Sequence, residues 1–143
     1  MKLTHACMLA SIGAGTLLAS AETYVVELAG PDFLYGGLTN MDIDLTINAG
    51  DTVRWEWISG FHNVVNGFPG DADEDTIFNS GPPTSDAGTF FEYTFSDEGV
   101  FGYHCEVHED IGMVSFVTVA AVPAPGTLLA LAPAGLMMTR RRR

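Results

Sequence analysis

Apolar and polar residues alternate with period two in a series of short segments, the pattern of strands that bury one face. Thr23 to Leu28 is the first such segment. In Met41 to Ile47, Met41, Ile43, Leu45 and Ile47 share one face while Asp42, Asp44 and Thr46 share the other. Asn48-Ala49-Gly50-Asp51 reads as a turn, and Thr52 to Ile58 then sets Val53, Trp55 and Trp57 inward against Arg54 and Glu56. His62 to Asn66 predicts a short strand that runs into a long loop, 67–88, with one further strand at Thr76 to Asn79. Thr89 to Phe95, Val100 to Cys105 and Met113 to Ala120 complete the series. No segment carries the 3.6-residue period of an amphipathic helix, and no internal repeat is visible. Seven to eight short strands between Gly-rich turns predict an all-β chain folded as a Greek-key β-sandwich.

The two ends differ from this middle. Residues 1–21 combine Lys2, an apolar run and the small residues Ala19-Ser20-Ala21, the composition of a secretory signal peptide. At the other end, residues 122–143 hold Val122-Pro123-Ala124-Pro125, an apolar stretch from Leu128 to Met138 and four arginines, Arg140 to Arg143. The apolar stretch is shorter than the roughly 20 residues that cross a bilayer squarely, and the arginines favour the cytoplasmic side. This tail resembles a PEP-CTERM sorting signal, with Ala124 standing where that motif usually has Glu. The resemblance implies transient membrane insertion followed by release or attachment outside the cytoplasm. The expected organisation is a signal peptide over 1–21, one domain over 22–121 and a sorting or anchor segment over 122–143. The expected location is periplasmic, cell-surface or extracellular in a bacterium.

Charge narrows the function. The chain has 18 Asp and Glu against 6 Lys and Arg, and residues 22–121 hold every acid and only one base, Arg54. Such a surface excludes nucleic acid, which requires a basic stripe, and favours a basic protein partner. Cys7 leaves with the signal, so the domain keeps one cysteine, Cys105, and has no internal disulfide to form. No Ser-His-Asp order, HExxH motif or phosphate-cradling Gly loop is present, so the chain is not expected to be an enzyme. The acidic run Asp71-Ala72-Asp73-Glu74-Asp75 begins like a calcium loop. It then departs from that pattern, with Thr76 in place of the required Gly and Pro82 in place of the closing Glu, and reads as a solvated loop.

The chemistry concentrates in Tyr103-His104-Cys105-Glu106-Val107-His108-Glu109-Asp110-Ile111-Gly112-Met113, between the last two strands. Cys105, His108 and Met113 are spaced Cys-x2-His-x4-Met, and His62 opens an upstream segment as His62-Asn63-Val64. A thiolate, two imidazoles and a thioether form a donor set suited to copper, with two His and one Cys in a plane and a distant Met on the axis. Structural zinc favours more thiolates and no thioether. His104 lies on the opposite face of its strand from Cys105 and is expected to be partly exposed or hydrogen-bonded, outside the donor set.

On these motifs and the Asn48-Ala49-Gly50-Asp51-Thr52-Val53 turn, residues 23–120 resemble the cupredoxins, close to plastocyanin, pseudoazurin and halocyanin-type domains. The resemblance implies one copper ion cycling between Cu(I) and Cu(II), and single-electron transfer between redox partners. It implies His62, Cys105 and His108 as strong ligands, Met113 as the weak axial one, and Asn63 as the residue that ties the two ligand segments together. The expected molecule is a monomer that docks a basic redox protein near His108, the ligand nearest solvent. Ile111, Gly112, Phe61 and Phe68 would form an apolar docking patch there. An extracellular copper-binding protein with a sequestering or structural role is the alternative.

Overall fold

The computed structural model describes residues 20–122; the signal peptide, apart from its last two residues, and the tail beyond Val122 lie outside the described residues. Two sheets face each other. The first has strand order β3-β2-β1-β5-β7 and the second β4-β9-β8-β6, where the strands are β1 Thr23–Ala29, β2 Asp32–Tyr35, β3 Leu38–Thr39, β4 Leu45–Asn48, β5 Thr52–Ser59, β6 Val65–Asn66, β7 Phe90–Thr94, β8 Gly99–His104 and β9 Val114–Ala120. The all-β sandwich expected from the alternation is the observed fold. β1 pairs in parallel with β5, and β4 with β9, while β5–β7, β6–β8 and β8–β9 are antiparallel.

The inward residues of these strands close one core. Val26 and Leu28 from β1, Leu45 and Ile47 from β4, Val53, Trp55 and Trp57 from β5, and Val117 and Val119 from β9 are all buried. Trp55 sits at the centre, with ring centroids 5.4 Å from Phe78, 5.8 Å from Phe91 and 5.3 Å from Tyr103. An aromatic held on three sides in this way carries much of the stability, since its truncation to Ala typically costs ~3–5 kcal/mol. The Asn48–Asp51 turn ties the sandwich at its end. The buried Asp51 carboxylate accepts hydrogen bonds from the backbone N–H of Glu22 and of Asn48, each at 2.8 Å, so one side chain fixes the start of β1 against the turn that leads into β5.

Three expectations are corrected and one hairpin is added. The hairpin β2–β3 was not foreseen; it turns on Gly36-Gly37, both at positive φ (58° and 84°), as a two-residue hairpin loop requires. The strand expected from Met41 begins only at Leu45, and Met41 is half exposed. Its register breaks at Asn40 (φ 46°), whose side chain accepts from the Phe33 N–H at 2.9 Å and donates to Asp32 at 2.6 Å. Of the strand expected over His62 to Asn66 only Val65 and Asn66 remain, and His62 is bridged to Thr84 alone. Thr76 to Asn79 is loop, held against β6 by a bridge from Asn79 to Val65 and by hydrogen bonds between Asn66 and Ile77 and Phe78.

Candidate metal centre

The site lies where three segments meet: the turn after β5, the lead into β6, and the loop between β8 and β9. Cys105 follows the end of β8 and is fully buried. The loop is drawn tight by its own backbone. His108 N–H donates to the Cys105 carbonyl at 3.0 Å, Met113 N–H to the His108 carbonyl at 3.1 Å, and Cys105 N–H to the Met113 carbonyl at 3.1 Å. A 3-10 turn, Glu109–Ile111, ends at Gly112 (φ 93°) and returns the chain to β9. Three residues three to eight positions apart are thereby held within one small ring of hydrogen bonds.

His62 arrives from the opposite side. Its Nε2 donates to the Ser59 carbonyl at 2.9 Å, which leaves the Nδ1 lone pair directed at Cys105 Sγ, 3.8 Å away. Burial lowers the His62 pKa below the ordinary imidazole range; the Ser59 carbonyl opposes this and His108 adds to it. The ring is therefore neutral at pH 7, the state in which imidazole binds metal. His108 Nδ1 lies 3.5 Å from the same sulfur, and the two imidazole rings are 4.9 Å apart. His62, Cys105 and His108 thus point one donor atom each at a common centre, all three within 4.8 Å of one another. Metal bonds of about 2.3 Å to sulfur and 2.0 Å to nitrogen give S···N edges of roughly 3.5–3.8 Å at tetrahedral to trigonal angles. The donor set and its spacing fit a metal ion. Met113 is fully buried beside this cage.

Asn63 joins the two halves. Its Oδ1 accepts from the Glu106 N–H at 3.1 Å and its Nδ2 donates to the Glu106 carboxylate, so the residue after His62 holds the residue after Cys105. His108 is the only one of the three donors with partial exposure, and Phe61 and Ile111 are exposed around it.

Gly60 was not singled out by its sequence neighbours. It has φ 104°, and a Cβ there would overlap His62 Nε2 and sit 3.2 Å from the Gly30 carbonyl oxygen. Gly60 therefore sets the His62 ring by leaving room for it. Gly60→Ala is expected to weaken Cu(II) binding at least tenfold through displacement of His62, and to cost about 1–3 kcal/mol in backbone strain. Copper titration against thermal unfolding of the metal-free protein separates the two effects. Unchanged copper affinity would show that His62 does not depend on this gap.

With this geometry in place, the comparison with known proteins is specific. A family model described as copper binding proteins, plastocyanin/azurin family, matches residues 35–120. The chain is a cupredoxin. Plastocyanin of Physcomitrium patens is 31% identical over 130 residues, spanning 84% of this chain and 71% of the relative. Halocyanin of Natronomonas pharaonis is 39% identical over 77 residues, spanning 52% of this chain and 44% of the relative. Among solved structures, a Cu(I) amicyanin variant aligns with a TM-score of 0.50 and 25% identity, over 68% of this chain and 82% of that one. Cupredoxin membership makes copper the metal that the cage of this domain accommodates.

His104 meets the hydrogen-bonded of its two expected settings. It is fully buried, with Nδ1 2.9 Å from the Gly67 carbonyl oxygen and Nε2 turned toward Glu74 and Glu109. Glu74, expected in a solvated loop, is folded onto it.

Proposed function

We propose that this cupredoxin is an exported mononuclear blue-copper protein that carries single electrons between redox partners, with His62, Cys105 and His108 as the residues that would hold the copper strongly and Met113 as a weak fourth ligand. The observation that carries this reading is the convergence of one cysteine sulfur and two imidazole nitrogens at S···N distances of 3.5 and 3.8 Å. When bound, copper supplies a one-electron couple. The chain holds the donors still. The Ser59 carbonyl orients His62, the Cys105–His108–Met113 backbone ring orients the loop, and Asn63 couples the two. A cage fixed by the sandwich suits both oxidation states, which keeps reorganisation on electron exchange small. His108 alone reaches toward solvent, and Phe61 and Ile111 give its surroundings an apolar face.

The partner is proposed to be a basic redox protein and the cupredoxin a monomer. Glu106 and Asp110 are exposed beside His108, and Glu109 partly so, on a domain carrying 18 acids in the whole chain against one internal base. Association with a basic redox protein is expected to slow about tenfold between 10 and 150 mM salt, as the Debye length falls from about 30 to 8 Å. Stopped-flow electron exchange checks this, and a rate flat across that range would mean apolar docking without steering. Export through residues 1–21 and processing near Val122-Pro123-Ala124-Pro125 belong to the same proposal. Protein isolated from its source should lack both ends by mass spectrometry, whereas retained terminal arginines would mean a membrane tail instead.

A further inference from the structure

A second cluster of donors lies on the other side of β8. His104 Nε2 is 3.3 Å from Glu74 Oε1 and 3.4 Å from Glu109 Oε2, and the three ligand atoms lie within 4.8 Å of one another. The imidazole is completely buried, while the carboxylates are about one-third exposed.

Its polarity is unusual. His104 Nδ1 contacts the Gly67 carbonyl oxygen at 2.9 Å, so Nδ1 donates its proton there and Nε2 is the nitrogen left to face the carboxylates. Nε2 is buried without a hydrogen-bond partner and points between two carboxylates, which are acceptors. Two carboxylates and an imidazole nitrogen facing one another need a proton or a metal cation between them. An imidazole fixed through Nδ1 to a backbone carbonyl, with Nε2 free, is the usual arrangement of a metal-binding histidine.

The loop is built to hold this position. Gly67 has φ 86°, and a Cβ there would come within 2.7 Å of Glu74 Cα, so only glycine lets Glu74 approach β8. Asn66 donates from Nδ2 to the Asp73 carbonyl at 2.7 Å and accepts at Oδ1 from the N–H groups of Ile77 and Phe78. Glu74 Oε2 accepts from the Gly70 N–H at 2.8 Å, which leaves Oε1 free to face His104. Glu109 opens the 3-10 turn directly after His108.

We propose that Glu74, His104 and Glu109 form a second metal site that takes a borderline divalent cation of the zinc class. One nitrogen and two carboxylate oxygens suit zinc better than calcium or magnesium, which favour oxygen alone. A tetrahedral ion with bonds of 2.0–2.1 Å sets its ligands about 3.3 Å apart, close to the 3.3 and 3.4 Å separations from Nε2. Two carboxylates neutralise a divalent charge, and the fourth position opens to solvent between the partly exposed acids. Occupancy would clamp the acidic loop 67–88 to the loop that carries Cys105 and His108. The site uses none of the residues proposed for copper and stands independently of that reading.

The test is titration of the copper-loaded chain with zinc chloride, followed by calorimetry and by the 15N resonances of His104. Expected are one equivalent bound at micromolar concentration or tighter and a zinc-induced shift at His104 Nε2. Glu74→Gln and Glu109→Gln should each weaken binding at least tenfold, while Asp86→Asn, elsewhere in the same loop, should not. Zinc captured by a copper cage that had failed to load would be indifferent to Glu74→Gln, which separates the two centres. The proposal is overturned if zinc gives no binding at micromolar concentration, if both Glu variants bind as tightly as the parent, or if Nε2 keeps a proton with zinc present. The last result would make the cluster an imidazolium held by two carboxylates. The His104 resonance needs no variant, so a variant that fails to fold does not remove the test.

Discussion

Cys105→Ser is expected to bind Cu(II) weakly and without blue colour while remaining folded. The intense visible band of such a site is charge transfer from a thiolate sulfur to Cu(II), and Cys105 is the one cysteine among the described residues. Serine is a hard, protonated oxygen donor at neutral pH and supplies no such transition. The sandwich should survive because its core is closed by strands and aromatics, not by metal. Burying a hydroxyl where a thiol packed costs about 1–3 kcal/mol. Visible absorption and thermal unfolding read the two consequences separately. Retained colour would assign the band to another ligand, and a variant unfolded without metal would show that the thiol holds the core.

Met113→Leu is expected to stay blue and to gain a more positive reduction potential. A thioether on the axis donates weakly to Cu(II) and matters less to Cu(I), which is satisfied by three ligands. Its removal therefore disfavours the oxidised state. Met113 is fully buried and its backbone bonds to Cys105 and His108 do not involve its side chain, so the volume-conserving swap should cost less than about 1.5 kcal/mol. A tenfold change in the preference between oxidation states is about 59 mV for a one-electron couple, and a rise of at least that size is expected. Met113→Gln, a stronger oxygen donor, should move the potential the other way. Identical potentials in parent and Leu variant would remove Met113 from the axis.

The long strands could be read from the sequence because each buries one face and repeats with period two. Val53-x-Trp55-x-Trp57 and Val117-x-Val119 show why: every second residue enters the core. β2 buries only Phe33 along four residues, too short a run for any period, and its better signal was the Gly36-Gly37 turn. Met41 misled because a left-handed Asn40, held by Asp32 and Phe33, breaks the alternation by a contact across the chain. The ligand loop was readable because three donors of distinctive chemistry fall within nine residues. What orients them was not: the Ser59 carbonyl and the gap at Gly60 act through backbone geometry. Glu74, His104 and Glu109 combine positions thirty residues apart, and no local spacing announces them.

Voltammetry of the copper-loaded chain most directly separates an electron carrier from a protein that merely stores copper. A cage prearranged by Ser59, Asn63 and the loop backbone should give one copper per chain and a fast, reversible one-electron wave. A chain that holds its copper tightly yet shows no wave, or an irreversible one, would contradict electron carriage and leave sequestration as the function.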